Sequence, residues 1–512
     1  MSNSMEPTFD NRLITVRLRL SDMTTFPSNI ACSWLRGVSG YLMRTKPEDS
    51  LRERLSQAKT YAEWEMIAAD LDIILGNDVW KADATSNIYD YKLIQFRLEH
   101  LAEVRDSGDV AELIYLLRSG LLRNLGGIGD PRLFSRSYLG TKSLIEDYLN
   151  QVVTQLQYIQ RNDFEVLSPQ QKVEFFHDTR QSFGNTALLL EGGATFGLFH
   201  LGVVKALSEH HLLPRIISGS SVGALIAALV CVHTEQDLPC IFQPGGINLK
   251  AFAKKGIKGN ITRKITRLLK YGYLMDVKVL EDCVRSNVGD LTFEEAYARS
   301  KRVLNITVAS TRKYEVPRLL NYLTAPNVLI WSAACASAAV MGLYESVDLL
   351  AKDNYGNIVH WSPSAISWSD SSCESDSPEI RLAEQFNVNH FILSQANPYI
   401  APFLSKCPQG QGDSLSDKLF IFLSSEIRHR LHQLAQIGLM PRTLQTLFEQ
   451  RAQGHITIAP PLSSMDFYQL FSNPTYASLN YWILKGEQST WPFLSFIRSR
   501  TKIELALDKG NQ

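Results

Sequence analysis

Between residues 186 and 223 the chain spells strand, glycine loop, helix, strand, Gly-x-Ser-x-Gly, helix, and few folds accept that order. Thr186-Ala187-Leu188-Leu189-Leu190 is a short apolar run bounded by Asn185 and a glycine pair, the signature of a buried strand. It empties into Glu191-Gly192-Gly193-Ala194-Thr195-Phe196-Gly197, after which Phe199, Val203, Ala206 and Leu207 recur at helical spacing. A second apolar run, 214–217, meets Gly219-Ser220-Ser221-Val222-Gly223 and a small-residue helix over 224–231. The alternation continues to about residue 400, with further strands expected at 303–308 and 389–393 and a small-residue helix at 327–343. That pattern predicts an α/β fold with a mostly parallel sheet.

A serine at the apex of a sharp strand-to-helix turn sits in strained backbone, and its neighbours two positions away must be nearly free of side chain. Gly219 and Gly223 meet that need around Ser221. The helix that follows directs its N-terminal dipole at the serine. The Gly192-Gly193 loop can turn bare N–H groups toward the same point, where loss of one oxyanion donor costs about 3–4 kcal/mol of barrier. A glycine loop before a helix also serves as a phosphate cradle. Residues 193–197, however, match neither Gly-x-Gly-x-x-Gly nor the P-loop, and no ribose-binding acid follows about 20 residues on.

The remaining sequence bounds the class. Lys and Arg balance Asp and Glu at 52 each, so nothing argues for a nucleic-acid partner. The seven cysteines are scattered without Cys-x-x-Cys spacing, which implies neither a disulfide framework nor a metal site, and no cofactor motif is present. Early apolar clusters are broken by Arg17, Arg19 and Asp22, so no secretory pattern is expected. The apolar windows 216–232 and 328–343 are too short or interrupted to span a bilayer.

Four regions are expected: an irregular extension to residue 50, a helical domain over 51–184, an α/β catalytic domain over 185–400 and a largely helical extension over 401–512. In the second, helices are expected at 51–75, 89–104, 109–127, 142–160 and 169–183, with Gly126-Gly127-Ile128-Gly129 as a helix stop. In the fourth, a helix is expected over 414–439 and a strand-like run at 455–458. The 30–43 patch with Trp34 and Tyr41 suits either a membrane surface or the main domain. Residues 249–275 hold eight Lys and Arg, no acid, and a set of Ile, Leu and Phe, a pattern shared by lipid-docking stretches and by solvated charged faces.

Ser221 needs a proton acceptor, because a neutral hydroxyl is a poor nucleophile. Two arrangements compete. Asp370 followed by His390 gives the α/β-hydrolase order Ser…Asp…His; alternatively Asp370 accepts the proton directly. His390 lies inside an apolar strand, and His200 and His233 lie too near the glycine motifs to be a distant loop base, so all three read as structural. Asp370 sits in the turn-rich run Ser367-Trp368-Ser369-Asp370-Ser371-Ser372, with Glu374 and Asp376 as competitors and Asp376 also fit to cap the next helix.

With these residues assembled, the chain resembles the patatin-like lipases, in the fungal and plant triacylglycerol lipase branch. Gly192 to Gly197, Gly219 to Gly223 and the Trp-x-Asp-x-Ser turn carry the likeness, which extends to residues 60–64, 89–91, 123–127, 144–148, 386–391, 394–398, 426–431 and 472–475. The resemblance implies a three-layer patatin-like core and a Ser-Asp dyad: Ser221 as nucleophile, Asp370 as base, Gly192, Gly193 and Ala194 shaping the oxyanion hole, and Gly197, Gly219 and Gly223 as motif glycines. It implies hydrolysis of neutral glycerolipids, or phospholipid hydrolysis or transacylation, without a metal or cofactor. It also implies a place on the cytoplasmic face of a lipid droplet or membrane, with 250–270 as a contact. Two departures stand out. Ser371 follows Asp370 where the family has glycine, which admits a catalytically impaired scaffold, and no histidine precedes an aspartate at the His-x4-Asp spacing of acyltransferase relatives.

Overall fold

The runs at 186–190, 214–217, 303–308, 389–393 and 455–458 each supply a strand. The computed structural model describes residues 47–165, 167–243, 245–249, 277–310, 318–339, 347–361, 368–369, 378–397, 422, 426, 429–430, 433, 454–462, 466–467 and 475–510. The chain divides into two units, 1–57 and 58–512. In the first, the described part is the helix Pro47–Gln57, with Glu48 and Asp49 in its first turn.

In the second unit the strands are β1 (Asn185–Glu191), β2 (Ile216–Ser220), β3 (Val303–Ser310), β4 (Arg318–Leu320), β5 (Leu350–Lys352), β6 (Ile358–His360), β7 (Trp368–Ser369), β8 (Val388–Gln395) and β9 (Ile456–Ile458). Seven of them form one sheet in the order β4-β3-β2-β1-β8-β9, with β7 also on β3. The pairs β1–β2, β2–β3, β1–β8 and β8–β9 are parallel, while β4 and β7 run antiparallel to β3. β5 and β6 make a separate hairpin. Ala187 to Leu190 are at most 1% exposed, because the central strand of a parallel sheet is covered on both faces and so reads as continuous apolar sequence. On one face Ala187, Leu189, Ile216, Val303 and Leu393 pack with Leu382 and Phe386 of the helix Pro378–Phe386. The helix Val222–Val232 lies on Leu190 from the other side.

The helical block departs from expectation at two places. The helix expected over 51–75 is two helices, Pro47–Gln57 and Tyr61–Ile74. Thr60 starts the second: its side chain accepts from the Glu63 amide at 3.4 Å, while the Glu63 carboxylate accepts from the Lys59 amide at 3.1 Å. The helix expected to reach 127 ends at Gly120, and Leu125–Gly127 is a separate single turn. Gly126 and Gly127 have φ of 57° and 84°, which makes them a turn, as expected, and their backbone receives the Asp90 amide at 2.8 Å. The helices Tyr91–Ser107, Ser143–Arg161 and Pro169–Phe183 fall where the periodicity puts them. The runs 30–43, 249–275 apart from its first residue, and most of 414–439 lie outside the described residues.

The C-terminal residues complete the core. β9 borders β8, and the helix Tyr476–Thr490 crosses Phe199–Glu209 at a glycine pair, where a side chain on Gly202 would meet Gly486 Cα at 2.8 Å. At the amino ends of the strands, Arg123 and Arg180 each bond Glu504 at 3.0 Å from opposite sides, and Glu504 accepts from the Thr186 amide, also at 3.0 Å. Arg123 further donates to the carbonyls of Gly184 (3.0 Å) and Arg500 (2.9 Å), and Arg180 pairs with Asp508 at 2.6 Å. This buried network joins the helical block, the sheet and the helix Leu494–Gly510.

Candidate active site

Ser221 occupies the turn between β2 and the helix Val222–Val232, with φ 55° and ψ −129°. Serine reaches positive φ only under constraint, at a cost of about 1–3 kcal/mol. The two flanking glycines explain how the turn is possible. A Cβ on Gly219 would lie 2.6 Å from Ala224 Cα, and one on Gly223 would overlap the Leu190 carbonyl oxygen. The serine itself is 5% exposed. Its amide donates to Ser337 Oγ at 3.1 Å, and Ser337 Oγ donates to the Thr307 carbonyl at 2.8 Å.

The glycine loop lies against the same turn. Gly192 and Gly193 have φ of 68° and 118°, and the residues from Ala194 to Leu198 form a short 3-10 turn closed by Phe196 N–H to the Gly193 carbonyl, 2.7 Å. A Cβ on Gly197 would come within 2.8 Å of Val222 Cβ, so the loop packs on the residue that follows Ser221. Asn397 fills the place of a Gly192 side chain, and Phe196 is buried 5.0 Å from the Trp482 ring centre. The loop is thus wedged between the elbow, the end of β8 and the C-terminal helices.

Two titratable groups border the loop. His200 is fully buried, with Nδ1 2.7 Å from Ser394 Oγ, and burial pushes its pKa down to about 4 against the pull of the Gly192 and Glu191 carbonyls. A base held that low is a weak acceptor for a serine proton. Glu191 at the end of β1 is pushed up to about 7 by desolvation and by nearby Glu379, against a hydrogen bond from Gln395 at 3.2 Å.

The other expected residues divide. His390 pairs with Thr186 in the β1–β8 register, five positions before the carboxyl end of β1, or about 16 Å down the sheet. Desolvation, with Arg123 and Arg500 nearby, holds its pKa well below the usual histidine value. His233 Nδ1 lies 2.7 Å from the Leu229 carbonyl. The three histidines therefore keep the structural roles expected of them, and the Ser…Asp…His arrangement loses its imidazole. Asp370, like Ser371, Glu374 and Asp376, lies outside the described residues. Just before it, Ser369 pairs with Ala309, three residues beyond Ile306, the partner of Gly219. That is the carboxyl end of the sheet, where β2 delivers Ser221. Among the described residues no group of His, Cys, Asp and Glu is placed to hold a metal, and no helix is long and apolar enough to cross a membrane.

Sequence reasoning missed Ser337, and it reached Asn397 only through the likeness at 394–398, without a role. Ser337 sits in a run of small residues with no pattern to mark it, and its role becomes visible only when the helix Ile330–Ala338 meets the elbow.

Residues 188–368 match the model described as patatin-like phospholipase, and 41–181 match a domain of unknown function, DUF3336. The triacylglycerol lipase ptl3 of Schizosaccharomyces pombe is 32% identical, over 90% of this chain and 96% of its own length. The chain belongs to the patatin-like phospholipase family, in its triacylglycerol lipase branch. Further relatives in this family are the triacylglycerol lipase SDP1L of Arabidopsis thaliana, 39% identical over 90% of this chain and 58% of its own, and triacylglycerol lipase 4 of Saccharomyces cerevisiae, 36% identical over 90% and 53%. The chain thus spans little more than half the length of these two. The patatin-like match runs from Leu188 within β1 to the first residue of β7 and includes both glycine motifs.

Proposed function

We propose that the chain is a serine acyl hydrolase that cleaves fatty-acyl esters of neutral glycerolipids through a Ser221–Asp370 dyad. The observation that carries the reading is the positive φ of Ser221 at a glycine-flanked turn pressed against a glycine loop, strain of the kind that persists at functional sites. Ser221 Oγ attacks the ester carbonyl as Asp370 accepts its proton. The oxyanion that forms is stabilised by N–H groups of Gly192, Gly193 and Ala194 and by the N-terminus of the helix Val222–Val232. The Ser221 amide is engaged by Ser337, which leaves the glycine loop as the main donor. Asp370 returns the proton to the departing glyceride alcohol, and water then hydrolyses the acyl-enzyme by the reverse sequence.

The names of the relatives support triacylglycerol as substrate, and the family description favours phospholipid hydrolysis or acyl transfer in the same site as the second reading. The serine acts at a lipid droplet or membrane surface on the cytoplasmic side, with 250–270 as the contact. The test is a fluorophosphonate probe on the full chain, followed by trioleoylglycerol emulsion, phosphatidylcholine and lysophospholipid as donors. Labelling at Ser221 that Ser221→Ala removes, with fatty acid released fastest from trioleoylglycerol, supports the proposal. An unlabelled chain that still coats lipid would instead match a scaffold impaired at Ser371.

A further inference from the structure

We infer that Ser337 is a positioning residue for the nucleophile, its hydroxyl fixing the Ser221 backbone in the reactive turn; the inference rests on the reading of Ser221 as nucleophile. A serine hydroxyl has a single proton to give. That proton goes to the Thr307 carbonyl at 2.8 Å, so the contact with Ser221 N–H at 3.1 Å has only one sense, amide to hydroxyl. Both serines are buried, Ser337 completely, so water offers no substitute partner for that amide.

The elbow needs such a partner. Gly219 and Gly223 remove obstacles to the turn but attract nothing, and the Ser221 amide stands ahead of the helix, where no carbonyl of the preceding turn is in place to accept from it. Ser332, earlier in the same helix, supplies a comparison: its hydroxyl donates to the Leu329 carbonyl at 2.8 Å, within its own turn, and accepts from the Leu350 amide of β5 at 3.1 Å. Ser337 leaves its own helix and joins two other elements. One is the elbow. The other is β3, where Thr307 lies two residues before Ala309, the partner of Ser369. A single hydroxyl therefore couples the nucleophile's backbone to the strand against which the chain runs into Asp370.

The experiment uses the full chain with Ser337→Ala, Ser337→Thr and Ser337→Val, reading fluorophosphonate labelling rate at Ser221, kcat and KM on an ester, and the denaturation midpoint. Threonine and valine have nearly the same shape and differ in the hydroxyl, so their difference isolates the hydrogen bond even where alanine folds poorly. Loss of the hydroxyl in Ala and Val is expected to cut kcat and labelling roughly 10- to 100-fold, about 1.4–2.7 kcal/mol, with KM little changed. Threonine restores most of the rate. Wild-type labelling in Ser337→Ala, or an equal loss in Thr and Val, overturns the assignment. A wild-type chain that is not labelled at Ser221 overturns the nucleophile itself, an outcome distinct from both.

Discussion

The two ends of the central sheet are built on opposite principles. At the amino end, Arg123, Arg180, Glu504 and Thr186 satisfy one another in a buried network; their own backbone is ordinary, and the positive φ of Gly184 and Asn387 beside them belongs to the turns that enter β1 and β8. At the carboxyl end, Ser221, Gly192 and Gly193 take up positive φ, and polar groups are spent on holding loops rather than on pairing charge. A parallel sheet delivers all its strand ends to one side, so one edge can be kept strained for chemistry while the other is saturated for stability.

Substitutions at the two ends should therefore separate activity from folding. Ser221→Ala is expected to reduce hydrolysis by about 10⁴- to 10⁶-fold in an ester assay while leaving the denaturation midpoint unchanged or raised. Glu504→Ala should do the reverse. It leaves the buried Arg123 guanidinium without its carboxylate, while Arg180 keeps Asp508, and should cost about 3–5 kcal/mol in chemical denaturation, with the labelling rate per folded molecule unchanged. Ser221→Gly should stabilise by about 1 kcal/mol, the relieved strain less the flexibility glycine adds to the unfolded chain. A midpoint that falls instead would mean that the turn is not strained.

Titratable groups at the two ends also differ from one another in the sign of their response to pH. Glu191 has a folded pKa of about 7, above its unfolded value near 4.5, so its contribution is full below about pH 4.5 and is lost as pH rises toward 7. Glu191→Gln should then raise the denaturation midpoint at pH 8 and leave it unchanged at pH 4.5. His390 at the other end has a folded pKa well below 6.5, so the unfolded chain takes up a proton that the folded one refuses, and stability falls as pH drops through 6.5. His390→Gln should flatten that acid limb. His200, lowered to about 4, adds to the same limb from the carboxyl end, so His200→Gln measures the share that belongs there.

Legibility followed the range of the interactions. The elbow and the glycine loop are local, and the sequence Gly-x-Ser-x-Gly after a strand spells out both the turn and its steric need. The strands β1, β3 and β8 were readable because burial leaves mostly apolar runs, unbroken in β1 and interrupted by Asn305 and Thr307 in β3 and by Asn389 and His390 in β8. The break at Thr60 had its signal, a Thr-x-x-Glu start inside an apolar periodicity that masked it. Contacts between distant segments left no local trace. Gly202 and Gly486 look like ordinary helix glycines until two helices cross there. The likeness at residues 123–127 flagged Arg123, but only the fold reveals that it holds Glu504 across the amino end of the sheet. For Asp370 the signals are turn composition and family likeness, neither of which carries geometry.

The amino-end network also fixes when the molecule can finish folding. Thr186 and Glu504 are 318 positions apart, so at roughly 5–20 residues per second a ribosome that has just made β1 needs about 16–64 s more to supply the carboxylate that secures it. During that interval the nascent sheet lacks both β9 and its anchoring helix, and its outermost strand is open to wrong partners. Chaperone demand during synthesis, rather than the stability of the finished chain, is where this long-range closure would be felt first.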